Sequence, residues 1–255
     1  MKASLTSCWG EKVLLSFHSY KGGTGKTTFV SNLGVYFAQQ GHKVCIIDTD
    51  VNGPGLHSLF GIHLSATLVD FLQNECKINE IVYKPYKDLD LYIIPSKACE
   101  EDISSMFNSP GEARDKMLEV VKFLNKQFQV DHILFDCSPG INKSSLLVMN
   151  IADSATIVST IDMQDIRGTY ILSNMSSKLG TKANLLFNKT PMDKLEEINV
   201  IVADFSKKLG TSLLGLLTFD DVVARTWSRK MVMLDENNCD YCQQLRNIAT
   251  RLLNC

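Results

Sequence analysis

Residues 13–28 have the sequence VLLSFHSYKGGTGKTT, and this stretch decides the fold of the chain. Its apolar first part, residues 13–17, suits a buried strand, and a glycine-rich loop follows directly. From Thr27 to Gln40 the apolar residues recur with helical spacing, which predicts a helix that Gly41 ends. Strand, glycine loop and helix in this order are typical of a phosphate-binding loop.

The residue types of the loop explain how it would bind phosphate. Its glycines let backbone N–H groups close around phosphate oxygens, and the start of the helix adds partial positive charge. Lys26 is expected to reach the β- and γ-phosphates of a nucleotide, and the Thr27 hydroxyl to ligate Mg²⁺. The general pattern G-x-x-x-x-G-K-[ST] requires glycine where this chain has Tyr20, so a glycine-rich turn with incidental lysines is the alternative. The residues predicted to bind the nucleotide are Gly22, Gly23, Thr24, Gly25, Lys26, Thr27 and Thr28.

Short apolar runs recur through the rest of the chain and are typical of buried parallel strands. They cover residues 44–47, 89–94, 132–135, 155–158, 183–187 and 213–217. Helix-compatible stretches separate them. We therefore predict an α/β fold of the P-loop NTPase type, a doubly wound, mostly parallel sheet of about seven or eight strands with helices on both faces. The ligand of such a sheet binds beyond the carboxyl ends of the strands.

The composition favours one cytoplasmic domain. The chain has 255 residues, 45% hydrophobic and 21% charged, and no linker-like or low-complexity tract divides it. We predict a single domain over residues 1–255, with residues 1–10 as a short N-terminal extension. Apolar runs stay far below the roughly 20 residues that span a bilayer, and the N-terminus lacks a secretory apolar segment. A net charge of −2 gives no general attraction to nucleic acid or anionic lipid.

Three aspartates follow predicted strands at the edge of the sheet where the glycine loop is expected. Asp48 and Asp50 come after the 44–47 run, and Asp136 closes the 132–135 run. A carboxylate near a γ-phosphate orients or polarises the attacking water, and a carboxylate beside the metal holds Mg²⁺, usually through water. Capping of a turn is the alternative for Asp48 and Asp50.

The loop resembles that of one nucleotide-binding family closely. KGGTGKTT, residues 21–28, matches at every position the K-G-G-x-G-K-[ST]-T signature of the MinD/ParA family of deviant Walker A ATPases. The resemblance implies ATP and Mg²⁺ as cofactors. It also implies that Lys21 and Lys26 both act in catalysis. Lys21 would do so by reaching across a dimer interface to the partner's nucleotide.

The same resemblance gives roles to the aspartates and to a second loop. Asp50 would activate the attacking water, Asp136 would hold Mg²⁺ in the Walker B position, and Asp48 would lie near Mg²⁺ or the phosphate loop. Ser138-Pro139-Gly140 resembles the family's second switch loop, in which the Gly140 N–H would sense the γ-phosphate.

Two later segments resemble the parts of the family that surround the base. Residues 185–189, LLFNK, resemble its strand-end N-[RK] element, in which the amide of Asn188 would contact the adenine edge. Residues 214–220, LGLLTFD, resemble its L-G-x-I-P-x-D segment and end in Asp220, although Thr218 replaces the usual proline.

These features predict an ATP-hydrolysing switch. ATP would favour a sandwich homodimer, the dimer would engage a protein partner, and hydrolysis would release it, in cell positioning, partition or appendage regulation. An Mrp-type iron–sulfur or metal carrier is the first alternative, on the residues 52–54, NGP, and on the pair Cys239 and Cys242. An ATP-dependent small-molecule enzyme is the second, which the lack of an inserted substrate domain disfavours.

Other partners are less favoured. Late basic residues such as Lys207 and Arg246 are interspersed with acidic ones, so a solvated mixed face is preferred to DNA binding. The chain stops at about the end of its last predicted helix, so the amphipathic basic tail of membrane-cycling MinD proteins is not expected, nor is membrane binding. The eight cysteines are expected to be reduced, because several lie in apolar runs.

Overall fold

The structure is a computed structural model that describes residues 13–107, 109–226, 230–235 and 238–253. Its strands are β1 Val13–His18, β2 Val44–Thr49, β3 Leu91–Ile94, β4 His132–Cys137, β5 Ser154–Ser159, β6 Lys182–Thr190 and β7 Ser212–Thr218. These seven strands form one sheet in the order β3-β2-β4-β1-β5-β6-β7. Each neighbouring pair is parallel, which confirms the predicted α/β sheet.

Helices connect the strands and cover the sheet. In the described ranges the α-helices are α1 Lys26–Gln39, α2 Leu56–Leu59, α3 Leu68–Leu72, α4 Pro110–Phe128, α5 Lys143–Ile151, α6 Met163–Leu179, α7 Leu195–Leu209, α8 Asp221–Arg225, α9 Val232–Asp235 and α10 Asp240–Leu253. Short 3₁₀ turns occupy Ile78–Ile81, Ile103–Met106 and Met192–Lys194. None of the described helices combines the length and apolar character that a membrane crossing requires.

Several element boundaries differ by one to three residues from the sequence-based prediction. Helix α1 begins one residue early, at Lys26, because Gly25 in the left-handed region (φ 87°) turns the chain directly into the helix. Strand β3 begins at Leu91, two residues later than the apolar run. The predicted extension over residues 1–10 lies outside the described residues, and the single-domain assignment stays a prediction.

The strand order brings the predicted site together. Strand β1 lies between β4 and β5, and β2 lies on the other side of β4. The register of β2 and β4 pairs Asp48 with Asp136. Because all strands run in one direction, the glycine loop after β1 and the aspartates of β2 and β4 meet at one edge of the sheet.

The glycine loop rests on a tightly packed core. A side chain at Gly34 of α1 would place its Cβ 2.6 Å from Ile46 Cδ1, so glycine lets the helix approach the sheet closely. Beside it, the buried rings of Phe17 and Phe29 meet edge to face with their centroids 5.9 Å apart. Burial of each such ring stabilises the fold by about 1.5–3 kcal/mol, which fixes the strand and the helix that hold the loop.

Candidate functional site

A cavity of about 650 Å³ opens at the carboxyl ends of the strands. The glycine loop, residues 22–28, forms one wall together with Asp50 and Pro139. Asn188 borders the same cavity, and residues 218–220 with Tyr241 form what we call the β7–α10 wall. The remaining predicted site residues are not part of these walls: Lys21, Asp48, Asp136, Ser138 and Gly140.

The loop has the shape of a phosphate cradle. Gly23 and Gly25 both have positive φ angles, 78° and 87°, which favour glycine. A Cβ at Gly25 would lie 2.3 Å from Asn188 Nδ2, so no larger residue fits there. Gly25 also offers no side chain to cap α1, which leaves the first N–H groups of the helix directed at the cavity.

Lys26 forms a buried ion pair beneath the loop. Its Nζ lies 2.5 Å from Asp136 Oδ1, with 5% and 1% of the two side chains exposed. Burial opposes the charge of Lys26, but the Asp136 carboxylate outweighs it, and the pKa of Lys26 is raised overall. The lysine is therefore cationic, and phosphate oxygens in the cavity would compete with Asp136 for it.

Asp48 shapes the segment that follows β2. Its Oδ1 accepts from Asp50 N across 2.9 Å, and its Oδ2 accepts from Gly55 N across 3.2 Å and from Leu56 N across 3.3 Å. Burial, and next the nearby Asp136 carboxylate, raise the pKa of Asp48 well above its usual range. Its bonds are those of the turn-capping alternative, and its predicted place beside Mg²⁺ stays a prediction.

The donor set fits a divalent cation. Asp48 and Asp136 are both buried, and the single ammonium of Lys26 leaves the group with excess negative charge when both carboxylates are ionised. Carboxylate and hydroxyl oxygens are ligands that Mg²⁺ prefers, and Thr27 of the loop contributes such a hydroxyl. A cation here would also relieve the repulsion that raises the pKa of Asp48.

Asp50 links the segment that follows β2 to the second switch loop. Its Oδ1 accepts from Asn52 N at 3.1 Å, from Gly53 N at 3.0 Å and from Ser138 Oγ at 3.1 Å. The carboxylate is thus held in one orientation at the cavity wall, as a group that positions water must be. The N–H of Gly140 donates to Ser19 O across 2.8 Å, and its predicted contact with a γ-phosphate stays a prediction. This N–H would have to break its hydrogen bond to Ser19 O before it could donate to a γ-phosphate.

Lys21 points away from the cavity and pairs with its own chain. Its Nζ lies 2.6 Å from Asp162 Oδ1, and the two side chains are 35% and 54% exposed. Asp162 caps the N-terminus of α6 through Gln164 N and Asp165 N. The Lys21 ammonium lowers the pKa of Asp162. Sequence reasoning missed Asp162, whose only signal was an aspartate just before a helix.

Strand β6 holds the glycine loop from the side. Asn188 Nδ2 donates to Thr24 O across 2.8 Å, and Lys189 Nζ donates to Gly23 O across 2.7 Å. Asn188 Oδ1 accepts from Lys189 N, so both ends of the amide are engaged by the chain. Lys189 has a φ of 57°, which turns the strand end toward the loop. The predicted contact of Asn188 with adenine stays a prediction.

In the β7–α10 wall, Tyr241 is a site residue that the sequence did not indicate, whereas Asp220 was predicted. Asp220 accepts from Val222 N at 2.8 Å and from Tyr241 N at 3.2 Å, so it organises this wall. Tyr241 is buried, and no group in the described chain hydrogen-bonds its hydroxyl. The Thr24 hydroxyl of the loop is in the same situation. Buried hydroxyls of this kind, one on each wall, are suited to polar groups of a bound ligand.

The structure shows where the two features that suggested an Mrp-type carrier lie, residues 52–54 and the cysteine pair. Asn52 and Gly53 line the cavity. Cys239 Sγ lies 3.4 Å from Cys242 Sγ. The described residues contain no group of three or more histidine, cysteine, aspartate or glutamate side chains that could hold a metal ion.

Comparison with known proteins gives one family. The model of the AAA domain family matches residues 12–188. A putative septum site-determining protein MinD of Oltmannsiellopsis viridis is 28% identical over 217 residues, 83% of this chain and 66% of that protein. This chain therefore spans just under two thirds of that relative's length.

Two solved structures share the fold. The MinC:MinD cell division protein complex of Aquifex aeolicus contains a chain with a TM-score of 0.79 and 22% identity, over 95% of this chain and 96% of that one. The septum site-determining protein MinD of Pyrococcus horikoshii, complexed with Mg-ADP, gives a TM-score of 0.77 and 22% identity, over 94% and 96% of the two chains.

Proposed function

Because this chain belongs to the MinD/ParA family of P-loop ATPases, through the AAA domain match over residues 12–188, we propose that it is an Mg·ATP-hydrolysing dimerisation switch. ATP and Mg²⁺ are the cofactors of this family. Hydrolysis by this chain, its homodimer and its engagement of a protein partner in cell division or partition are the parts that we propose. The partner is supported by the Aquifex relative, which is a complex of MinD with MinC.

One observation carries the proposal: the buried group of Lys26, Asp48 and Asp136 directly beneath the glycine loop. Two carboxylates and one ammonium are costly to bury unless a ligand completes their charge balance. The ammonium of Lys26 would break its ion pair with Asp136 and bind the β- and γ-phosphates instead. Asp136 would then hold the cation through water. Mg²⁺, when bound, neutralises the charge that develops on the phosphate oxygens.

Hydrolysis would depend on Asp50. Its carboxylate lies at the cavity wall and is held by the backbone of residues 52–53 and by Ser138. In that position it would accept a hydrogen bond from the attacking water and orient it in line with the γ-phosphate. Ser138 of the second switch loop donates to the same carboxylate, so a change in the hydrogen bonds of Asp50 would also affect that loop.

Dimerisation would depend on Lys21. Its ammonium lies outside the cavity of its own chain, so within one chain it adds nothing to phosphate binding. A second chain facing the cavity would receive this lysine as a charge-assisted donor to its ATP.

The buried thiols of Cys45 and Cys137 in the strands are typical of a reducing compartment, and we propose that the protein is cytoplasmic.

Isothermal titration of the full chain with Mg·ATP tests the site. We expect one nucleotide per chain for the wild type and loss of binding in Lys26→Ala, because the variant leaves the phosphates without their buried cation. Lys208→Ala, at a lysine of α7 whose side chain is 73% exposed, is the control and should bind normally. Wild-type affinity in Lys26→Ala would show that the site is misplaced.

A further inference from the structure

Two cysteine sulfurs meet at the start of α10. Cys239 immediately precedes the helix and is half-buried, whereas Cys242 in its first turn is fully buried. The Cys239 thiol donates a hydrogen bond to Cys242 Sγ across 3.4 Å. A disulfide requires an S–S distance of about 2.0 Å, so a movement of only about 1.4 Å would close it.

We propose that Cys239 and Cys242 form a dithiol site that closes reversibly into a disulfide, and that closure weakens nucleotide binding in the adjoining cavity. The spacing C-x-x-C before a helix is one that thiol–disulfide exchange uses. The closure stands on the position of the two sulfurs alone. The effect on binding rests on the proposed nucleotide site.

The exchange needs only a small disulfide, such as oxidised glutathione, as oxidant. Cys239 is the accessible sulfur, because it is half-buried whereas Cys242 is fully buried. The Cys239 thiol loses its proton, and the resulting thiolate attacks one sulfur of the oxidant to form a mixed disulfide. The S–S bond of the oxidant breaks, and its other sulfur leaves as a thiolate that takes up a proton. Cys242 then gives up its proton and attacks the Cys239 sulfur of the mixed disulfide, which expels the second thiolate. Two protein thiols are oxidised, and the small disulfide is reduced to two thiols.

The order of attack follows from burial. Burial, and next the bond from Cys239, raise the pKa of Cys242 to about 12. Cys242 is therefore a poor nucleophile toward an oxidant in solution, which it cannot reach. It becomes effective only when the mixed disulfide places an electrophilic sulfur beside it, because the reaction is then intramolecular.

The dithiol is connected to the cavity by one of the two residues between the cysteines. Tyr241 lines the β7–α10 wall, and its N–H donates to Asp220 Oδ2 across 3.2 Å. Gln244, one turn further, accepts from Thr218 N across 2.9 Å through its Oε1. Asp220 and Thr218 belong to the same wall. A movement that closes the disulfide therefore displaces the first turn of α10 and the wall with it.

Coupling of this kind is reciprocal. If closure weakens nucleotide binding, bound nucleotide must favour the dithiol by the same factor. For a two-electron couple, a tenfold difference in affinity equals a shift of about 30 mV in reduction potential. The potential should therefore become more positive when the site is saturated with Mg·ADP.

Disulfide formation is tested by mass spectrometry on the full chain after equilibration with oxidised and reduced glutathione. Trypsin cleaves after Lys230 and Arg246, and the peptide 231–246 contains Cys239 and Cys242 and no other cysteine. After alkylation the disulfide form of this peptide should carry no label. Its mass should be lower by two hydrogen atoms than that of the unalkylated dithiol peptide. Cys239→Ser should abolish this species, and Cys76→Ser should leave it unchanged. Full alkylation after oxidation, or stoichiometric zinc bound at the pair, would overturn the proposal.

The effect on the cavity is measured by titration of Mg·ADP into the reduced and the oxidised protein. We expect about tenfold weaker binding after oxidation, matched by a shift of about 30 mV in the midpoint, and no difference for Cys239→Ser. Equal affinities would overturn the coupling. Failure of the reduced protein to bind ADP would instead count against the proposed function, while the peptide mapping would still decide whether the disulfide forms.

Discussion

Lys21 Nζ lies 2.6 Å from Asp162 Oδ1, so the lysine of the family signature is held by the start of α6 in its own chain. Water screens such exposed ion pairs, and their net stabilisation is small. A γ-phosphate on a second chain carries more charge than one carboxylate and would attract the ammonium more strongly. Breaking the ion pair between Lys21 and Asp162 therefore costs little free energy when a dimer forms.

Asp162→Asn should make dimerisation easier. Asparagine keeps the cap on Gln164 N and Asp165 N but removes the charge that attracts Lys21. We expect half-maximal dimer at a few-fold lower Mg·ATP concentration, measured by light scattering. Asp204→Asn, which breaks another exposed pair, with Lys208 on α7, should have no effect. An unchanged ATP dependence in Asp162→Asn would show that the pair does not restrain Lys21.

Asp50→Asn should trap the dimer. The amide oxygen still accepts from Asn52 and Gly53, so ATP binding is retained, but the group no longer polarises water. Hydrolysis should fall by about 10²- to 10⁴-fold, measured by phosphate release. With Mg·ATP the variant should accumulate as a dimer in light scattering.

Adding Lys21→Ala to Asp50→Asn should return the protein to a monomer while ATP binding persists. This double variant isolates the action of Lys21 on the partner chain, because Lys21 lies outside the cavity of its own chain. The switch mechanism is wrong if Asp50→Asn stays monomeric with saturating Mg·ATP, or if Lys21→Ala leaves its mass unchanged.

Asn188→Ala should weaken the phosphate loop itself. The variant loses the bond from Nδ2 to Thr24 O, which costs about 1 kcal/mol, or about fivefold in affinity. Binding of inorganic triphosphate separates two roles for this residue. If Asn188 positions the loop, triphosphate and ATP should lose affinity equally. If it contacts only adenine, triphosphate binding should be unchanged. Lys189→Met, which loses the bond to Gly23 O, should weaken both ligands in either case.

The sequence predicted those parts of the site that are contiguous in the chain. Residues 13–28 contain the strand, the loop and the start of the helix in order, and Asp136 closes an apolar run, so local pattern was sufficient. Asp162 and Tyr241 could not be found in this way. Their contact with the loop and the cavity depends on β5 lying beside β1 and on α10 packing against β7, which only the assembled sheet establishes.

The use of individual polar groups was also beyond the sequence. The family resemblance implies that the Gly140 N–H faces a phosphate and that the Asn188 amide faces a base. In the structure both groups bond backbone carbonyls, those of Ser19 and Thr24. A motif specifies which groups are near a ligand. It does not specify which of several nearby acceptors each donor chooses, because those free energies differ by only about 1 kcal/mol.

His18, at the end of β1, should make the stability of the fold dependent on pH. The ring is buried, and burial followed by the Lys26 charge lowers the pKa of His18 to about 3. The folded chain therefore keeps His18 neutral, whereas the unfolded chain binds a proton below about pH 6.5. Stability from this residue is complete above that pH and is lost as the pH falls toward 3.

Between pH 7 and pH 5.5 the loss from His18 should be about 1 kcal/mol, measured as the change in the free energy of unfolding by urea. His18→Gln, whatever its absolute stability, should reduce the pH dependence by that amount, because glutamine does not titrate. His63→Gln, at an exposed histidine, is the control and should leave the slope unchanged. A variant slope equal to that of the wild type would mean that His18 takes up its proton in the folded state as readily as in the unfolded chain.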